Sequence, residues 1–279
     1  MAASIVLLHG SANGAYSWGP VLAGLAAAGA SAYAPDMIGY GRAPAPSPAY
    51  GIVEEVSHLR GLLDRHAPGP IHLVTHSLGT MFGLHLRRAL GDRVVRLTLV
   101  DPIVVSVLRE GDEPEAYAEM EAQYQRFHAA AGDPAAAAER FVDHWNGAGA
   151  WRSIGERARA VIAGLAPKVG LEMDAARGDR TALAALAEAP PPTRIVLGGA
   201  TRIAAVATGR QLARAFHGVT EVVDGAGHMV PLTHPAAVVD AILRGEAEDA
   251  RIQGDAPPRS ISRGGEDRLR SACGGDPGV

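Results

Sequence analysis

Six short, almost unbroken apolar runs set the frame for this chain: Ser4–Leu8, Ala30–Ala34, Pro70–Val74, Val94–Val100, Arg194–Leu197 and Val219–Val223. Apolar runs of this length without polar alternation suit strands buried on both faces, and such strands belong to parallel sheets. Between them lie stretches of helical periodicity at Gly19–Ala28, Ile52–His66, Leu78–Leu90, Ala207–Ala215 and Ala236–Leu243. The repeated strand–helix rhythm predicts an α/β fold built on an open, doubly wound, mostly parallel sheet. The 279 residues accommodate one large domain of this kind, and 47% hydrophobic residues supply its core.

One interval, residues 103–192, breaks the rhythm and reads as several helices. Pro114 opens a stretch with Tyr117, Met120, Tyr124 and Phe127 at helical spacing. Asp133-Pro134 has the pattern of an N-cap followed by proline at the first helical position, and Ser153 with Glu156 that of a capping box. Inserted between sheet strands, these helices are expected to form a lid; the alternative is extra packing layers. The domain is therefore divided into a core of residues 1–102 and 193–245 and a helical lid over 103–192. Residues 246–279 carry seven acidic and five basic side chains, six glycines and three prolines, with few large apolar groups. Such a segment buries too little surface to offset its ordering entropy, so a flexible C-terminal tail is expected, with a charge-mediated binding arm as the other reading.

The charge pattern narrows the class. A formal net charge of −4 gives no electrostatic reason to bind nucleic acid or an anionic membrane. The single cysteine, Cys273, cannot build an internal disulfide framework. No apolar run approaches the roughly 18 residues of a membrane span, and the chain enters a strand too early for a signal peptide. A cytoplasmic enzyme acting on a small molecule, without nucleic-acid or membrane partners, is expected; its oligomeric state leaves no mark in the sequence. Of the 26 basic residues only Lys168 is a lysine.

The chemistry concentrates at strand ends. Leu73-Val74-Thr75-His76-Ser77-Leu78-Gly79 takes a buried strand into a helix with serine at the turn, which pushes the hydroxyl out above the sheet. The helix N-terminus beyond it offers unpaired N–H groups to a developing negative charge. Gly79 suits the crowded turn, Thr75 less so, and a serine here also serves as a plain N-cap. Leu7-Leu8-His9-Gly10-Ser11 follows the first strand, and Gly225-Ala226-Gly227-His228-Met229-Val230-Pro231 follows the last. Of eleven histidines, His228 stands out because it lies beyond a strand end, where parallel sheets gather ligands.

Taken together, His-Gly after a strand, Asp36-x-x-Gly39-x-Gly41, Thr75-His-Ser77-x-Gly79 and Gly227-His228-Met-x-Pro-Leu resemble the α/β-hydrolase superfamily in order and spacing over about residues 4–244. The resemblance implies Ser77 as nucleophile, His228 as base, and the N–H groups of Leu78 and Ser11 as an oxyanion hole. It implies structural roles for His9, His76 and Asp36, and it puts the lid where residues 103–192 fall. The chain departs from the family pattern in lacking the N-terminal hairpin, in having Ala43 where serine is usual, and in its acid. The usual acid turn reads Gly198-Gly199-Ala200-Thr201-Arg202, with no carboxylate from Arg194 through His217. Asp101 in Val100-Asp101-Pro102 is the candidate replacement, since it ends the strand after the nucleophile helix at the same sheet edge; the competing reading is a turn cap. Asp224 is constrained by its own strand.

These residues predict a serine hydrolase that cleaves an ester-like bond of a small, largely uncharged substrate without a cofactor or metal. On the same site, a carbon–carbon bond hydrolase, a thioesterase or a hydroxynitrile lyase is the alternative, and outside enzymes a ligand-binding receptor. A serine rather than an aspartate at the turn argues against dehalogenase and epoxide hydrolase chemistry. The aromatic and methionine side chains Tyr117, Met120, Tyr124, Phe127, Trp145 and Trp151 are expected to line an apolar pocket over Ser77.

Overall fold

The sheet grows outward from β1 (Ser4–Leu8), whose alternate side chains serve two different cores. A computed structural model describes the backbone of residues 3–254 and the side chains of residues 3–245. The chain divides into two units, residues 1–245 and 246–279. Beside β1 stand β2 (Ala32–Tyr33), β3 (Ile71–His76), β4 (Val94–Val100), β5 (Thr193–Gly198) and β6 (Val219–Val223), all parallel, in the order β2-β1-β3-β4-β5-β6. The chain lays β2 on one side of β1 and β3 on the other, so the strand order reverses between β1 and β3. In open parallel sheets that reversal leaves a crevice at the carboxyl ends of the strands.

Val6, Leu8, Leu73, Leu97, Leu99, Ile195 and Leu197 face one layer of helices: α2 (Ile52–His66), α3 (Gly79–Leu90) and α10 (Ile203–Phe216). Ile5, Leu7, Val74, Val100 and Val196 face the other, made of α1 (Gly19–Ala27) and α12 (Pro235–Gly254), with the short α11 (Val230–Thr233) between β6 and α12. Burial of both faces explains why the inner strands β1, β3, β4 and β5 read as nearly continuous apolar runs. The edge strand β2 is half-buried and shorter than its apolar run suggests.

Residues 103–192 are helical between β4 and β5: α4 (Val105–Glu110), α5 (Pro114–His128), α6 (Pro134–Asn146), α7 (Ala150–Ser153), α8 (Glu156–Gly178) and α9 (Leu183–Leu186). Asp133 caps α6 as its sequence suggests, accepting from the N–H groups of Ala135 and Ala136 at 3.0 and 3.1 Å. Ser153 does not cap a helix with Glu156. It ends α7 with its hydroxyl turned back to the Gly149 carbonyl, and extended Gly155 is the residue before α8. The boundary expected after residue 245 is where the chain divides into its two units, and α12 runs past it to Gly254 through Glu246, Ala247 and Glu248, all good helix formers. Residues 255–279 lie outside the described residues. Among the described residues no helix is long and apolar enough to cross a membrane.

Thr75, the unusual residue ahead of the turn, is accommodated by a missing side chain on α3. Its hydroxyl meets Thr80 Oγ1 at 2.9 Å, and its methyl occupies the space over Gly83, where a Cβ would stand 2.5 Å from Thr75 Cγ2. Gly83→Ala should therefore destabilise the fold by about 1–3 kcal/mol through overpacking. Adding Thr75→Ser, which removes the methyl and keeps the hydroxyl, should restore most of that loss in urea unfolding. Equal losses in single and double variants would contradict this packing.

Candidate active site

Ser77 follows β3 directly and adopts a left-handed conformation, φ 54°. For a residue with a Cβ this costs energy, so the surroundings must impose it. The end of the next strand and the segment beyond it do so: the Ser77 N–H donates to the Val100 carbonyl at 3.1 Å, and its own carbonyl accepts from the Ile103 N–H at 3.1 Å. The crossing of β1 and β3 is tight enough to demand glycines. A Cβ on Gly79 would lie 2.3 Å from the His9 carbonyl oxygen, and one on Gly10 would lie 2.8 Å from Ser77 Cβ.

The histidine loop arrives from β6. His228 Nε2 lies 2.8 Å from Ser77 Oγ, and His228 Nδ1 lies 2.6 Å from Asp101 Oδ2. With Nδ1–H donating to the carboxylate, Nε2 is left as the acceptor for the serine proton. All three side chains are buried, at 7%, 4% and 0% exposure for Ser77, His228 and Asp101. Asp101 is the second left-handed residue at this edge, φ 46°. Its Oδ1 accepts from the Gly198 N–H at 2.9 Å, and Oδ2 also accepts from the Thr201 hydroxyl. The turn that usually carries the acid thus supplies two donors to a carboxylate one strand over. That turn supports the histidine loop too, through the Ala200 N–H to the Ala226 carbonyl at 2.8 Å.

His76 and His9 act as braces. His76 Nε2–H donates to the His228 carbonyl at 2.9 Å, while burial first and then the neighbouring His228 push its ring down to about 3, so it stays neutral. His9 accepts from the Met37 N–H at its Nε2 and donates from Nδ1 to the Gly10 carbonyl at 2.9 Å. Asp36 accepts from the N–H groups of Ala15 and Arg42, tying two loops together. Gly41 lies so close to it that a Cβ would overlap the carboxylate.

Two cavities meet at Ser77. One, of about 40 Å³, runs into the helical insertion past Leu78, Ile103, Met120, Tyr124 and Met173. The other, of about 380 Å³, passes His228 toward Tyr16, Ile154, Ile162 and Leu232. Ser11, Ser77, Phe141 and Trp145 line both. Of the side chains expected to face the pocket, Met120, Tyr124 and Trp145 do so. Phe127 and Trp151 are instead taken up in cores within the insertion, and Tyr117 packs beside Arg109 and Glu121. Two features escaped the sequence. Trp145 stacks on the His228 ring at 4.2 Å and 25°, and Arg177 pairs with both Glu121 oxygens at 3.1 and 3.2 Å in the wall of the first cavity. Neither contact has a local sequence signal, because each joins segments far apart in the chain. Among the described residues no cluster of side chains suited to a metal ion is found.

A family model described as the alpha/beta hydrolase family matches residues 5–241. The chain belongs to the α/β hydrolase family, and its six parallel strands flanked by helices have that fold. Among curated proteins it is 44% identical over 71 residues to lipase LipV of Mycobacterium tuberculosis, covering 25% of this chain and 27% of the relative. It is 32% identical over 106 residues to haloalkane dehalogenase 1 of Mycobacterium bovis, covering 35% and 33%. The alignments thus span about a quarter to a third of these relatives' length. Similar solved structures include a thermophilic esterase from Thermogutta terrifontis (TM-score 0.68, 20% identity, 88% of this chain and 90% of that one). A 2-hydroxy-6-oxo-6-phenylhexa-2,4-dienoate hydrolase from Rhodococcus sp. strain RHA1 matches with TM-score 0.68, 20% identity and 88% and 91% coverage.

The buried histidines should show in acid. His144, like His76, is pushed down to about 3, by burial first and then by Arg202 and Arg126. Both rings stay neutral in the folded chain while the unfolded chain takes up protons below about pH 6.5. Folding stability should therefore fall as pH drops from about 6.5 toward 3, by up to about 1.4 kcal/mol per pH unit for each ring. Urea unfolding at a series of pH values should show a shallower fall for His144→Phe than for wild type; parallel curves would contradict a neutral buried His144.

Proposed function

We propose that this protein is a serine hydrolase, carboxylesterase-like, that cleaves an ester-like bond of a small, largely uncharged substrate through Ser77, His228 and Asp101. The observation that carries the reading is the unbroken hydrogen-bonded path from Ser77 Oγ through the imidazole to the Asp101 carboxylate, buried where two cavities join.

His228 Nε2 takes the proton from Ser77 Oγ as that oxygen attacks the carbonyl carbon. The negative charge that develops on the carbonyl oxygen is received by the N–H groups of Leu78 and Ser11. Asp101 offsets the positive imidazolium and keeps Nδ1 protonated, and the stacked Trp145 ring adds a modest attraction for the same cation. The tetrahedral intermediate collapses as His228 returns the proton to the leaving alkoxide, and water repeats the cycle on the acyl-enzyme. The two cavities suit the two halves of such a substrate, one on each side of the scissile bond.

The similarity to a haloalkane dehalogenase supports a different reaction, but the residue at the turn opposes it. Displacement of halide by a serine oxygen would leave an ether on the protein. Water attacking at a carbonyl has no purchase on that bond, whereas an acyl ester on Ser77 is cleaved by the same machinery that made it.

Ser77→Ala should abolish ester turnover and covalent labelling by a fluorophosphonate while leaving the melting temperature close to wild type, given triad losses near a millionfold. Asp101→Asn should lower kcat by about two to four orders of magnitude, since the amide favours the wrong tautomer. Thr201→Ala should cost tenfold or less, because Asp101 keeps the Gly198 N–H. Turnover by Ser77→Ala above about a thousandth of wild type would identify another nucleophile.

The lining of the first cavity also bears on specificity. Its walls are mainly apolar, and its one strong cation, Arg177, is already paired with Glu121. Neutral p-nitrophenyl esters should therefore be hydrolysed faster than a dicarboxylate half-ester of similar length; equal or faster turnover of the half-ester would refute this specificity.

A further inference from the structure

The only lysine lies far from any solvent role. Lys168 is 5% exposed, on the insertion helix α8, and its Nζ donates to Glu172 Oε1 at 2.9 Å and to the Tyr50 hydroxyl at 2.5 Å. Glu55, fully buried on α2, stands 3.6 Å from the same Nζ and accepts from the Tyr50 hydroxyl at 2.7 Å and from the Ile38 N–H at 3.0 Å. Glu172, also fully buried, accepts from the Tyr40 hydroxyl at 2.7 Å. Replacing such a cluster with apolar residues often costs nothing in stability, so its cost in desolvation calls for another account.

The Tyr40 oxygen supplies one. It accepts a hydrogen bond from the Ala12 N–H at 3.1 Å, immediately beyond Ser11. The loop after β1 is thereby held peptide by peptide. His9 Nδ1–H fixes the carbonyl of the Gly10–Ser11 peptide at 2.9 Å, and in a trans peptide this turns the Ser11 N–H to the opposite side. The following peptide, Ser11–Ala12, is held at both ends: Asn13 Nδ2 donates to its carbonyl at 3.0 Å, and its N–H donates to Tyr40. Ala12 is left-handed, φ 58°, a conformation a non-glycine residue keeps only under such restraint. The Tyr40 hydroxyl can accept from Ala12 only while its own proton points elsewhere, and the buried Glu172 carboxylate, charge-balanced by Lys168, directs that proton.

We propose that Tyr40 and Glu172, with Lys168, are positioning residues that set the aim of the Ser11 N–H and so link the seating of helix α8 to the oxyanion site. The inference rests on the serine-hydrolase reading above. Loss of the Tyr40 hydroxyl leaves the Ser11–Ala12 peptide held only by Asn13 at its carbonyl, and the relaxation of Ala12 is passed to Ser11 through the Ser11 Cα. The Ser11 N–H then loses alignment with the tetrahedral oxyanion, while the cavities that bind the uncharged substrate keep their walls. The effect belongs in kcat and in the binding of tetrahedral ligands, and not in KM.

The test compares wild type, Tyr40→Phe and Glu172→Gln in three measurements: steady-state hydrolysis of p-nitrophenyl butyrate, inhibition by butylboronic acid, whose adduct on a serine is tetrahedral and anionic, and thermal unfolding. Tyr40→Phe should lower kcat and weaken boronate inhibition in parallel, by about 10- to 100-fold, with KM within about twofold. Glu172→Gln keeps an acceptor for the Tyr40 proton and should lie between the two. Both patterns should persist at temperatures well below each variant's melting point. Unchanged kcat and boronate inhibition in Tyr40→Phe would overturn the proposal, as would losses that fall equally on kcat and KM, and so would a Tyr40→Phe that fails to fold while a folded Glu172→Gln retains full kcat and boronate binding. Wild-type protein that neither turns over the ester nor binds the boronate would overturn the serine-hydrolase reading and this inference with it, an outcome distinct from active wild type with an indifferent Tyr40→Phe.

Discussion

The left-handed turn at Ser77 is the constraint on which the rest of the structure depends. A strand that must stop and become a helix within two residues throws the first one's side chain up from the sheet, and the backbone accepts the cost because the end of β4 and the segment just beyond it hold Ser77 at both its N–H and its carbonyl. The same crowding excludes any side chain at Gly79 and Gly10 and brings the loop after β1 within reach of the serine. Strain, glycines and the strand order are therefore one fact seen from three places.

Ser77 is not alone in this. Ala12, Ser77 and Asp101, each in the left-handed region and none a glycine, follow the carboxyl ends of the adjacent strands β1, β3 and β4. Each such residue costs about 1–3 kcal/mol, and strain of this kind gathers where function over-determines the backbone. Each is held by hydrogen bonds from elsewhere: Ala12 by Tyr40, Ser77 by Val100 and Ile103, and Asp101 by its N–H to the Val196 carbonyl at 2.7 Å. The polar groups gathered on this edge are thus fixed by backbone geometry before any substrate arrives, the preorganisation that electrostatic catalysis requires.

Much of this was legible in the sequence, for identifiable reasons. Strands buried on both faces read as continuous apolar runs, so β1 and β4 could be bounded to the residue, while the largely exposed edge strand β6 was marked by its β-branched residues. Ser77 and His228 sit in glycine-marked strand ends, and Asp101 followed from the absence of any carboxylate in the turn after β5. What the sequence hid was tertiary. The role of Thr201 as a donor to Asp101 depends on how β5 lies beside β4. The fit of Thr75 depends on Gly83, eight residues on and one helix turn in. The cluster around Lys168 joins residues 12, 40, 50, 55 and 172, and its one clue was the rarity of lysine together with glutamate four positions later. Ser153 misled because a serine–glutamate spacing also arises where a short helix ends and another begins.

In the proposed reaction Ser77 attacks as a nucleophile made reactive by His228 and Asp101, and a stoichiometric organophosphate reads out that reactivity. Incubation with diethyl p-nitrophenyl phosphate should release one equivalent of p-nitrophenol per chain. Peptide mass mapping should find the diethylphosphoryl group on Ser77 and on no other residue. Absence of labelling, or a phosphoryl group carried elsewhere in the chain, would contradict the account.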